Sequence, residues 1–500
     1  MADYKHGAYG QINAVGTRVP DESQSAFVYI GTAPVHTVEN GAENVNVPIL
    51  VHNMAEARKL LGYSDDWASY TLCEAMSVHF EKKGVGPLVF INVLDPTAHR
   101  ASTKTTGDRT PENGKITIAS AESIILDTIV IKTKDSTPVT KVKGVDYSVA
   151  YNTDKKTITI TELSSGSLGT AALSVEYYCI DVAAVTDSVV IGSSDGLGLN
   201  TGVFAIKDVY QVTGYIPAFF LAPGFSSVPA IHAAMYQNSV KVNGHWDVYM
   251  LADLPITSGG TALNFDTIVT YKNANGFNHE NETVYFPLAA GTDGKKYHLS
   301  VLAAANLQEL LIDQDGIPYR TASNTECAMI ENLYLGEAYS GRIFDDSIIN
   351  EKLNKNGIAS AAYVGGRWVI WGAHSADYNQ NNQTQINVAE TTRMMLYYIS
   401  NDFQDRRTLD IDQPLTPNDL RTIVSEEQTR LDALIGIGAL TFGEVVLNAD
   451  EDARSDALQG DWSFAFKITT TPLAKSLTAY VTWTDDGYAT YFAESGSDAA

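Results

Sequence analysis

Cysteine is scarce in this sequence. Its three residues, Cys73, Cys179 and Cys327, lie far apart with no CxxC pair. That excludes an even-numbered disulfide framework and points to free thiols made in a reducing compartment. Long apolar runs are missing too: none reaches the roughly 18 residues that a membrane-spanning helix needs. The opening MADYKHGAYG has no apolar stretch of the secretory kind, so no export signal is expected there. Positive charge is thin, with 34 Lys and Arg against 59 Asp and Glu and a net charge of -25. Such a balance argues against binding a nucleic-acid backbone, which needs clustered cations. It favours solubility at high copy number and makes any self-association salt-dependent.

Signatures of chemistry are also missing. No GxxxxGK[ST] occurs, and GSSDGLGLNTG (Gly192–Gly202) lacks GxGxxG spacing and a strand-to-helix setting. It reads as a loop. PGFSSV (Pro223–Val228) sits on a strand-to-helix turn, but Val228 stands where a nucleophile elbow needs its second glycine. Ser226 or Ser227 is expected as a helix cap. The ten histidines form no HxH or HExxH, and NADEDARSD (Asn448–Asp456) lacks the glycine and terminal glutamate of a calcium loop. No metal and no cofactor is expected. Asp253, at the end of a buried strand, and His374, after WVIWGA, are the two residues an enzyme would use. Neither has a motif-linked partner, and a turn former and a loop histidine are the ordinary readings.

What is present is a folded chain. With 500 residues, 44% of them hydrophobic, more than one core is required, in about two to four domains. FVYIG (Phe27–Gly31), VPILV (Val47–Val51) and PLVFINVLD (Pro87–Asp95) are continuous apolar strands. Asn53 is positioned to cap a short helix closed by Gly62, and a longer helix spans about Asp66 to Lys83. That order means an α/β layer. From about 97 to 189 the rhythm changes to alternating runs: KITIA, IVIKT, DYSVAY, TITIT and LSVEYY, with the turn NTDKK between two of them. These describe a small all-β sandwich inserted into a loop. The α/β rhythm returns with YIPAFFLAPG and WDVYMLADLP, then a helical repeat from His298 to about Ile312. Later come a hairpin on Gly365-Gly366, a helix over 389–403, and another opening with Thr416 and Pro417. DWSFAFKIT (Asp461–Thr469) and LTAYVTWT (Leu477–Thr484) both alternate as strands with one buried face. The second is close to the end of the chain, where a strand needs a partner to explain its aromatics.

Several stretches carry a resemblance. They are AFVYIGTAP (Ala26–Pro34), VPILVHNMAEARKLLG (Val47–Gly62), GVGPLVFINVLDP (Gly84–Pro96), FFLAPGFS (Phe219–Ser226) and DVYMLADLP (Asp247–Pro255). Most specific is the C-terminal third, where Asn356-Gly357-Ile358 is followed by Trp371-Gly372-Ala373. After these come TTRMMLYYISNDFQDRR and PLTPNDLRTIVSEEQTRLDALIGIGAL. The chain resembles the tail sheath proteins of contractile phage tails and related contractile injection particles, over most of its length outside about 97–190. HLSVLAAANLQELLIDQDGIPYRTASN (His298–Asn324) fits the family pattern loosely.

The resemblance implies an α/β sheath domain (21–96 with 190–352), the inserted β-sandwich on the outer surface (97–189), and a C-terminal α+β domain nearest the tail tube (353–477). It further implies extended linking arms at 1–20 and 478–500. Subunits would form a helical sheath of stacked hexameric rings that contracts, drives the tube through a bacterial envelope and serves genome ejection. No enzyme activity or cofactor is implied. The partners would be further copies of the chain, the tail tube protein, and baseplate and terminator proteins, without nucleic acid or membrane insertion. The place would be a virion tail or contractile particle made in the bacterial cytoplasm. Strand exchange between subunits would use Ile12 and Ala14 from one arm, Trp462, Phe464 and Phe466 from the strand Asp461–Thr469, and Ala479, Val481 and Trp483 from the other arm. Arg393, Arg406, Arg407 and Arg421 would face an acidic tube, or else serve as ordinary helix-surface charges. Two rivals remain: a surface-layer or adhesive glycan-binding protein, and an α/β enzyme with a degenerate site at Asp253 and His374.

Overall fold

A computed structural model describes residues 25–384, 386–449, 455–488 and 491. Its centre is an eight-stranded sheet. In chain order the strands are β1 (Ser25–Gly31), β2 (Pro48–Val51), β3 (Leu88–Asn92), β4 (Ile216–Leu221), β5 (Tyr249–Asp253), β6 (Glu282–Tyr285), β7 (Ile358–Val364) and β8 (Arg367–Trp371). They lie in the order β2-β3-β1-β4-β5-β6-β7-β8. The six central strands are parallel, while β2 and β8 run antiparallel at the edges. Continuous apolar runs form these strands because both faces are covered. The pleat sends Phe27, Tyr29, Phe90 and Leu221 into one core and Val28, Ile30, Ile91 and Phe220 into the other. Helices 72–83 and Leu299–Asp313 cover the first face, and helix Pro229–Ser239 the second. The outer edge of β8 is closed by the chain at 324–327, where Cys327 N–H donates to Trp368 O at 2.9 Å and Ile370 N–H to Thr325 O at 3.1 Å.

Local signals account for several elements. Asn53 Oδ1 accepts from Glu56 N–H at 3.0 Å and starts helix Met54–Leu60. The helix expected from Asp66 begins only at Leu72, whose N–H is committed to Thr32 O at 3.0 Å. Its second half, Ser77–Lys83, winds as a π-helix. The cap of helix 229–239 is Val228, with Pro229 at its first turn, so neither serine caps it. Ser226 Oγ instead accepts from Asp253 N–H at 3.1 Å, tying the turn after β4 to the end of β5.

Between β3 and β4 the chain leaves to build two small antiparallel sheets. One holds 105–109, 173–177, 130–133 and 140–141; the other holds 115–118, 157–162 and 147–152. Every second residue, including Ile116, Ile131, Ile158, Ile160 and Val175, enters a core of their own. Thr105 pairs with Tyr177, so the way in and the way out lie side by side. A polar seam holds this part to the body: His36 Nε2 donates to Glu122 O at 2.7 Å, and Asn40 N–H to Asp127 at 2.9 Å.

The C-terminal boundary differs from the sequence reading. β7 and β8, expected in a domain that starts at 353, join the main sheet because the buried run Ile358–Ala362 finds a parallel neighbour in β6. The helix Glu390–Arg407 belongs to the same unit, and the division falls after Thr416. From Pro417 onward the second unit consists of helix Pro417–Gly436 and a hairpin, Leu440–Leu447 with Phe464–Thr470. Leu420, Ile423, Leu431 and Leu434 form the helix's buried stripe, and Leu440 and Val445 are buried on the hairpin.

Candidate intersubunit surface

The two residues that could mark an enzyme are both otherwise employed. Asp253 is buried at the end of β5, and its Oδ1 accepts from Ser300 N–H at 3.1 Å while Oδ2 accepts from the Ser300 hydroxyl. It therefore caps helix 299–313 from a different strand, a position where a carboxylate meets unsatisfied N–H groups. Burial pushes its carboxyl above the usual range. Next to it, burial works against charge on His298, yet Glu74, with Oε2 at 2.6 Å from Nδ1, holds the imidazole up at about 9. His374 Nδ1 donates to Val388 O at 2.5 Å, and its ring stacks on Tyr378 with centroids 3.8 Å apart. Among the described residues no group of three or more His, Cys, Asp or Glu could hold a metal ion.

Other buried polar groups had no sequence signal. His232 Nε2 lies 2.5 Å from Glu282 Oε2. Glu390 accepts from the Thr283 and Thr321 hydroxyls at 2.6 and 2.5 Å. Lys272 Nζ donates to Ala376 O at 2.5 Å, and burial pushes its ammonium down to about 8. Each pair joins residues dozens of positions apart, and each ties distant segments of the chain together.

The most exposed run of apolar residues lies in the second unit. Thr471 N–H donates to Ala439 O at 3.2 Å and its hydroxyl to Gly438 O at 2.6 Å, so the chain is pinned where it leaves the hairpin. The joint expected at Thr470-Thr471-Pro472 thus begins at Pro472. From there to Thr484 no regular structure forms, and LTAYVTWT is not a strand in the single chain. No strand among the described residues pairs with it. Leu477, Tyr480, Val481 and Trp483 are 91, 93, 94 and 77% exposed, and Ala479 is exposed with them. Phe464 and Phe466 sit half-buried in the hairpin, whereas Trp462 precedes the strand and is 41% exposed. Ile12 and Ala14 lie outside the described residues.

No family model matches the chain. A tail sheath protein of Burkholderia phage BcepMu is 23% identical over 498 residues, covering 95% of this chain and 96% of that one. The chain is a relative of phage tail sheath proteins. The sheath fold is matched as well. A chain in the PVC sheath complex of an extracellular contractile injection system, in its contracted state, superposes with TM-score 0.54 at 10% identity, over 97% of this chain and 99% of that one. A chain in the baseplate of the anti-feeding prophage gives TM-score 0.53 at 12% identity, over 97% and 100%.

Against that sheath background, three of the four arginines are occupied within their own chain. Arg393 pairs with Glu280 at 2.6 Å, Arg406 with Asp402 at 2.9 Å, and Arg407 with Asp410 at 3.2 Å. Arg421, on the exposed side of helix 417–436, has no ion pair among the described residues. Sequence spacing could have flagged the Asp402–Arg406 pair, which stands four residues apart on a helix.

Proposed function

We propose that this chain is the structural subunit of a contractile tail, polymerising as a helical sheath of stacked hexameric rings around a tail tube. Contraction of that sheath would drive the tube through a target cell envelope. Full-length similarity to a tail sheath protein supports the reading, and one observation carries its mechanism: the exposed apolar tail after Pro472. In the assembly, residues 477–484 of one copy add as a strand to the hairpin of another. Each new backbone hydrogen bond contributes about 0.5–1.5 kcal/mol, and burying Val481 or Trp483 adds about 1.5–3 kcal/mol apiece. This eight-residue strand, within the usual range of about 3–10 residues, then holds a neighbour firmly, while the segment beginning at Pro472 lets rigid subunits rotate. Head-to-tail contacts of this kind generate helical filaments when the rotation does not close.

Contraction then needs no nucleotide and no catalytic residue. The extended lattice is a kinetic trap set at assembly, and repacking releases free energy at each subunit in turn. The proposed partners are further copies of the chain, the tube, the baseplate and the terminator, in a phage tail or a contractile particle assembled in the bacterial cytoplasm. Arg421 is the candidate for tube contact. The arm at 1–20 and the outward placement of 97–189 belong to the same proposal.

The test is truncation after Leu477. The shortened chain is expected to melt at the native temperature and remain monomeric under conditions where the full chain forms tubes. Tubes seen by electron microscopy with the shortened chain would remove the arm from the account.

A further inference from the structure

The sequence holds five Asn-Gly pairs, at 40–41, 113–114, 243–244, 275–276 and 356–357. Before a glycine, no Cβ shields the next peptide nitrogen from the asparagine side chain, and the backbone there is at its freest. Folding separates the five. In four of them an atom that would have to react is held in a hydrogen bond. Asn243 Nδ2 donates to Lys207 O at 2.5 Å and Gly244 N–H to Lys241 O at 2.7 Å. Asn356 Nδ2 donates to Lys352 O at 3.1 Å and Gly357 N–H to Asn354 O at 3.1 Å. Asn275 Nδ2 donates to Tyr271 O at 2.8 Å. Gly41 is buried, and its N–H donates to Val38 O at 3.3 Å. Asn113-Gly114 differs. It is the tip of a two-residue turn in the inserted domain, closed by Glu112 N–H to Lys115 O at 2.8 Å and Lys115 N–H to Glu112 O at 3.1 Å. Both tip residues have positive φ, 51° and 73°, the combination for which such turns select Asn-Gly. Asn113 is exposed, and among the described residues neither its side chain nor Gly114 N–H has a hydrogen-bond partner.

We infer that Asn113 is a site of spontaneous covalent modification by water, and the first of the five to react. The Gly114 nitrogen attacks Asn113 Cγ and forms a new N–C bond. The bond from Cγ to Nδ2 breaks, and Nδ2 leaves as ammonia with the proton that Gly114 N–H gives up. One water then opens the cyclic imide. Opening at Cγ yields aspartate; opening at the backbone carbonyl yields isoaspartate, with one more carbon in the main chain. Either product places a new carboxylate between Glu112 and the Glu162 side chain, which lies against Gly114. Isoaspartate also lengthens a turn that holds two ordinary residues. The site is independent of how copies of the chain assemble.

The experiment ages the full chain in water labelled with heavy oxygen at mildly alkaline pH, then digests it in ordinary water. Each Asn-Gly peptide is followed by mass, and the label marks the oxygen that water supplied during ageing. In the folded chain, label is expected at 113 about tenfold faster than at the next of the five, the factor that one or two hydrogen bonds support. The same ageing in concentrated urea should bring the five rates together, because every asparagine then precedes a glycine in an open chain. Asn113→Gln, checked for a native circular dichroism spectrum, should stay unlabelled at 113. Label that enters another of the five pairs first in the folded chain overturns the proposal. So does a ranking that urea leaves unchanged, since the fold would then not be its cause.

Discussion

His79 shows how a single buried residue shapes the protein's tolerance of acid. It is fully buried, and its Nδ1–H donates to Gln308 Oε1 at 2.6 Å while Nε2 accepts from the Tyr29 hydroxyl at 2.7 Å. Gln308 Nε2 in turn donates to Pro87 O at 2.8 Å, so the chain of donors and acceptors is complete with a neutral ring. Burial pushes the imidazole down to about 4, and does the same to His36 at the seam with the inserted domain. An unfolded histidine titrates near its ordinary value of about 6.5. The unfolded chain therefore takes up protons first as pH falls. The contribution to stability is present above about pH 6.5 and is lost as pH falls through 4, by on the order of 3 kcal/mol per group. His79→Gln should lower the melting temperature at pH 7, by about 1–3 kcal/mol of stability. It should also flatten the decline between pH 6.5 and 4 relative to the parent. Melting curves with the same acid slope in both proteins would contradict this assignment. Asp253 illustrates what the sequence could and could not say at this scale. Its place at a strand end was legible, but its partner, Ser300, is 47 residues away, and no local pattern links them.

At the scale of elements, the legible part is whatever neighbouring residues decide. Apolar runs mark β1, β3, β4 and β5, the 3.6-residue repeat marks helix 299–313, and Asn53 marks a helix start. Pairing is not local, and there the sequence is silent. Nothing in Ile358–Val364 announces that β6 will be its parallel neighbour, so sequence alone puts the hairpin on the other side of the C-terminal boundary. LTAYVTWT has the alternation of a strand and no strand to pair with among the described residues of its own chain. Gly443 is a further element-level constraint that composition conceals. A Cβ there would sit 3.0 Å from Leu431 Cβ, so the glycine lets helix 417–436 lie close against strand 440–447. Gly443→Val should force helix and hairpin apart at a cost of about 1–3 kcal/mol. Hydrogen exchange at 420–434 and 440–447 should then quicken while β1–β8 keep their protection. Unchanged exchange in the second unit would show that the close approach is not needed.

For the whole molecule, charge frames the problem that assembly must solve. The inserted region 97–189 is nearly balanced, with ten Lys and Arg against eleven Asp and Glu, and elsewhere acidic residues outnumber basic ones two to one. Copies of such a chain repel one another until salt screens them or specific contacts outweigh the repulsion. The proposed strand addition would provide contacts of that strength without an apolar patch on the folded body, because Leu477, Val481 and Trp483 are carried on the exposed tail. The most direct measurement is a cryo-electron microscopy map of the assembled polymer at a resolution that traces β-strands. The account predicts residues 477–484 of one copy paired as a strand with the hairpin 440–447/464–470 of another, with the chain crossing between them from Pro472. A map in which that segment folds back onto its own subunit, with no β-pairing between copies, would contradict it.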